Sequence, residues 1–150
     1  YNRSRNIFLR SPERFNNSVL EKRDEGYRNY TYIDNGHVIN IAAPDDEHAE
    51  KIFKSIEILK RNEPDNYEDF LRMVKEIRCE EREDTDGSMW VSIKYNDTIF
   101  VNLGKKEEIF SGSDEAFSCA LLHELKHLEG YGEVVAYYEF FRCLAKSYLI

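Results

Sequence analysis

The sequence predicts an α+β domain, and three observations carry that expectation. A short β-branched run, GHVINIAA at residues 36–43, is stopped by Pro44 and followed at once by apolar residues at helical spacing. Alternating apolar residues between Met89 and Leu103 read as a hairpin. The last third of the chain returns twice to a helical period, on either side of a glycine-bearing break at residues 130–132.

Taken in order, residues 1–30 read as a basic N-terminal arm. Arg3, Arg5, Arg10, Arg14, Lys22 and Arg23 stand there against Glu13 and Glu21, as in a solvated or loosely docked segment. Residues 36–43 form a strand. Ala49, Ile52, Phe53, Ile56 and Leu59 then line one face of a helix from Asp46 to about Asn62. Pro64 and Asp65 interrupt, and Phe70, Leu71, Val74 and Ile77 mark a second helix that ends in the charged run near Glu80–Asp86. In the hairpin, a three-residue loop at Asn96–Thr98 sets Ile99, Val101 and Leu103 on the apolar face of Val91, Ile93 and Tyr95. Trp90, Ser92, Lys94 and Phe100 fall on the other face. After Gly104 a polar linker leads to Ser113, which caps a helix opening with Asp114 and Glu115. Gly130 supplies its left-handed stop, and a final helix runs from Glu133 to about Ser147 with Ala136, Tyr137, Phe140, Phe141 and Leu144 as its apolar set.

Composition narrows the function. The 150 residues suit one domain, and 41% hydrophobic with 13% aromatic residues is enough for a packed core. A net charge of −8 argues against nucleic acid or an anionic membrane as partner, because either requires a basic surface. No apolar run reaches the roughly 18 residues of a membrane span, and the start lacks the order of a secretory signal. The first residue is Tyr, as in a processed or excised chain. Cys79, Cys119 and Cys143 form no close pair and are odd in number, which points to free thiols and reducing surroundings.

The stretch HELKHLEGYGE, residues 123–133, holds the chemistry. Residues four apart stand one turn above each other, so His123 and His127 can direct two imidazole nitrogens at one zinc ion. Glu124, about 100° round the helix from His123, misses the metal but reaches a water on it. Phe117, Ala120, Leu121, Leu125 and Leu128 bury the helix, as a metal-bearing helix in a cleft requires. A hydrolytic zinc site needs a third protein ligand. Glu133 ranks first, because it follows a glycine-flanked turn and opens a helix able to fold back; Glu129 and Glu139 compete. His37 and His48 read as surface residues, and Cys119, one turn before His123, as a small buried hydrophobe.

His123, Glu124 and His127 resemble the HExxH signature of the zincin metallopeptidases, and the order strand, helix, hairpin, active helix resembles the minimal zincin core over residues 36–148. The spacing to Glu133 is similar to the metzincin pattern, but no methionine follows Met89. Glu133 on the next helix, followed by Val134, Val135, Ala136, Tyr137, Tyr138 and Glu139, is closer to the gluzincin branch and to compact bacterial toxin or effector peptidases. The resemblance implies a single minimal zincin-like domain with Zn²⁺ as cofactor. Its activity would be hydrolysis of a protein or peptide substrate, with Glu124 activating the water and Tyr137 or Tyr131 steadying the oxyanion. It implies substrate pairing along the Met89–Leu103 hairpin; the missing signals, cysteine usage and small size fit a cytosolic enzyme or an effector injected into a host cytosol. The alternative is a noncatalytic binding module on the same scaffold.

Overall fold

A computed structural model describes residues 26–82 and 87–148 and bears out the α+β class. Five strands form one mixed sheet: β1 (Arg28–Asp34), β2 (His37–Ala43), β3 (Glu76–Glu80), β4 (Met89–Val91) and β5 (Thr98–Asn102). Their order across the sheet is β1-β2-β3-β5-β4, with β2–β3 and β3–β5 parallel and the two outer pairs antiparallel. The helices are α1 (Asp46–Asn62), α2 (Pro64–Met73), α3 (Gly104–Ser111), α4 (Asp114–Leu128) and α5 (Glu133–Tyr148).

Side chains alternate across each strand, which puts Tyr30, Tyr32, Ile39, Ile41, Ile77, Ile99 and Val101 on the core side. The apolar stripe of α1, with Ile52, Phe53, Ile56 and Leu59, packs there together with Phe70 and Leu71 of α2 and Phe117, Leu121, Leu122 and Leu125 of α4. Each such side chain, fully buried, contributes roughly 1.5–3 kcal/mol of transfer free energy. The hydrophobic effect therefore anchors α4, the helix that carries HExxH. The outer sheet face is also covered: Arg78 is fully buried, its guanidinium 5.0 Å from the Phe100 ring centre and 5.3 Å from that of Tyr95. Trp90 stacks on Phe100 at 5.4 Å.

Several expectations require correction. The arm read as 1–30 overlaps β1, whose Tyr30 and Tyr32 pair with Ile41 and Ile39; residues 1–25 lie outside the described structure. The second helix stops at Met73, and Ile77 belongs to the central strand β3. Glu76-Ile77-Arg78-Cys79-Glu80 does alternate, but over so few residues that the preceding helical period absorbed it. The hairpin has a different register: Val91 pairs with Ile99, so residues 92–97 make the connection instead of a three-residue loop, and Tyr95, expected on the apolar face with Val91, packs against Phe100 and Arg78 on the other face. Ile93 is then fully exposed. A short helix, α3, replaces the polar linker after Gly104.

Candidate metal centre

Local chemistry sets the ends of α4. The Ser113 hydroxyl accepts from the Ala116 amide at 3.0 Å, and Asp114 and Glu115 occupy the positive first turn. At the other end Gly130 takes φ +99°, its amide donates to the His127 carbonyl at 3.0 Å, and the Tyr131 amide donates to Lys126 at 2.9 Å. These two bonds are the paired closure of a left-handed helix stop. They reverse the chain, and α5 begins at Glu133 against α4.

That reversal brings three ligand atoms together. His123 Nε2 and His127 Nε2 lie 3.3 Å apart, and Glu133 Oε1 is 3.3 Å from the first and 3.0 Å from the second. Tetrahedral zinc with bonds of about 2.05 Å sets its ligand atoms roughly 3.3 Å apart. The triangle therefore fits such an ion, and the two-nitrogen, one-oxygen donor set suits its chemistry. His123, His127 and Glu133 can hold a metal ion. The His127 Nδ1 atom lies 3.0 Å from the Tyr131 carbonyl, which accepts a hydrogen bond from Nδ1–H and leaves the Nε2 lone pair for a metal. Burial first, and then the neighbouring His127, holds the His123 pKa below its ordinary 6.5, with Glu133 and the Ala136 backbone pulling the other way. The neutral imidazole is the ligating form.

Glu124 is buried beside this triangle, and burial, reinforced by the Glu133 charge, pushes its pKa up to about 8. It lines the same cleft of 660 Å³ as the three ligand residues. Met89, Trp90 and Val91 of β4 form one wall, Tyr137 and Phe140 of α5 another, and no Lys or Arg lines it among the described residues. The Tyr137 ring meets His123 edge-on at 4.5 Å.

The competing candidates are engaged elsewhere. Glu129 pairs with Lys126 at 3.0 Å, and Glu139 with Arg142 at 2.7 Å, which also grips Glu63. Tyr131 reaches the site through its main chain, while its ring lies 5.8 Å from the Lys126 ammonium. His37 begins β2 and is not part of the cluster. His48, expected at the surface, is half-buried, 2.6 Å from the Asp45 carboxylate and against Phe110. Cys119 and Cys143, expected as separate thiols, are joined in a disulfide with Cα atoms 5.7 Å apart; Cys79 is buried and outside that disulfide. The pairing removes the cysteine argument for reducing surroundings. It was hidden because the partners lie 24 residues apart and meet only when α5 folds onto α4. Sequence reasoning also missed Asn102, whose side chain bonds Arg82, Gly87 and Gly104 main-chain groups and closes the loop entering β4.

No protein-family model, curated protein or solved structure matches this chain. No described helix is long and apolar enough to cross a membrane.

Proposed function

We propose that the protein is a zinc-dependent metallopeptidase with a minimal zincin-like core. The observation that carries the reading is the His123–His127–Glu133 triangle, with sides of 3.0–3.3 Å, beside the buried carboxyl of Glu124 in an open cleft. Zinc, when bound, supplies Lewis acidity to a water and to a peptide carbonyl.

The rest of the work falls to the chain. Glu124, whose ionised form a cation held by the triangle would favour against the burial that raises its pKa, would as carboxylate take the proton from the attacking water and pass it to the leaving amine. Tyr137, beside His123, donates its hydroxyl proton toward the developing oxyanion. The cleft side of β4 is an outer edge of the sheet, with no further strand beyond it among the described residues, so its main chain is available to an extended peptide. Among the described residues the cleft presents two carboxylates and no lysine or arginine, which favours neutral or basic segments over acidic ones. A toxin or effector role rests on the sequence resemblance alone.

Zinc per chain, measured by elemental mass spectrometry, should be near one in wild type and fall sharply in Glu133→Ala. Glu124→Gln should keep zinc and fold while peptide hydrolysis drops by about 100-fold or more. Wild type that stays metal-free after zinc loading would overturn the reading. A second reading, a noncatalytic protein-binding module, is favoured by the exposed apolar residues Val134, Tyr138 and Phe141 on α5. Under it Glu124→Gln would leave the protein's effect unchanged.

A further inference from the structure

The two helices that carry the candidate ligands are unequally held. Helix α4 is embedded in the core, with Phe117, Leu121, Leu122 and Leu125 fully buried. Helix α5 fully buries only Ala136 and Cys143, and exposes Val134, Tyr137, Tyr138 and Phe141. Glu133, at the start of α5, has a side chain 68% exposed, so little packing holds its carboxylate beside the imidazoles. One of the two buried α5 residues is covalently tied to α4: Cys143 bonds Cys119, one helical turn before His123. The bond encloses residues 119–143, and all three ligands lie inside that loop. A cross-link around a ligand set narrows the conformations from which the set must assemble, so less ordering remains to oppose metal binding.

We propose that the Cys119–Cys143 disulfide positions the metal centre, clamping the Glu133 helix onto the histidine helix, so that metal affinity depends on the redox state of this pair. The inference rests on the metal reading above. Cys119 and Cys143 are positioning residues, and their effect reaches the metal through Glu133. Reduction would add two electrons and two protons to give two thiols; a trialkylphosphine does this by becoming its oxide with oxygen from water.

The test measures zinc affinity by competition with a chromophoric chelator, on air-oxidised wild type, Cys119→Ala/Cys143→Ala, Glu133→Ala and the triple variant. Loss of the clamp should weaken zinc binding about tenfold or more. The penalty of Glu133→Ala should also shrink in the cysteine-free background, because the freed α5 no longer holds the carboxylate in place. If the cysteine-free protein does not fold by circular dichroism, wild type reduced with the phosphine is compared with the oxidised form. Unchanged zinc affinity with an unchanged Glu133 penalty overturns the clamp and leaves the metal site standing, even if thermal stability falls. Wild type that binds no zinc overturns both. Titration of the denatured, unreduced protein should find only the Cys79 thiol; finding all three also overturns the clamp.

Discussion

Glu63 shows how one residue can be stabilised against its surroundings. Burial alone would raise its pKa, but hydrogen bonds from Arg142 at 2.7 and 3.0 Å and from Asn66 at 3.0 Å prevail, and the net value lies below the ordinary 4.5. The same contact raises the Arg142 pKa. Since the folded value is below the unfolded one, the stabilisation is complete above about pH 4.5 and is lost as pH falls through the depressed folded value. Urea unfolding between about pH 6 and about pH 3 should show Glu63→Gln to be less stable than wild type at the upper end, with the difference narrowing at the lower end. Of the three clustered ligand candidates, His123 and His127 were readable from spacing, because residues four apart share a helix face, and Glu133 from the glycine-flanked turn that opens the next helix. The engagement of Glu139 was not, since Arg142 is held by Glu63 from 79 positions away.

At the scale of elements, α1 and α4 matched their expected bounds because apolar period, cap and stop residue agreed in each. Asp45 and Ser113 accept from amides three residues on, and Gly130 closes α4. Gly130 serves more than the stop, since the turn it permits aims the Tyr131 carbonyl at His127. Gly130→Ala should therefore cost about 1 kcal/mol in denaturant unfolding, from a side chain forced to positive φ. It should also weaken zinc binding in a chelator titration. Helix α5 was placed correctly along the chain, but its expected apolar set was not all buried: Tyr137 and Phe141 are exposed, while Cys143 is buried. A helical period shows that residues share a face, and only the partner determines how much of that face is covered. Strands β1 and β3 were missed because alternation over five to seven residues is a weak signal beside a charged arm or the end of a helix.

Across the whole molecule, metal binding at the candidate site would be linked to folding. The three ligands come from two helices that meet only in the folded state, so zinc should raise the melting temperature of wild type and leave His123→Ala nearly unmoved. The gain in stability is about 2.7 kcal/mol at a free zinc concentration one hundred times Kd. Differential scanning calorimetry with and without zinc measures it, and chelation should reverse it. The α+β class, most helices, two strand regions and the HExxH constellation follow from local periodicity, capping and i,i+4 geometry, all of which act within a few residues. Tertiary structure alone decided the central place of β3, the four-residue change of hairpin register, the exposed face of α5 and the Cys119–Cys143 bond. The place of β3 and the disulfide join segments distant in sequence, and all four depend on which surfaces the collapsed chain can cover.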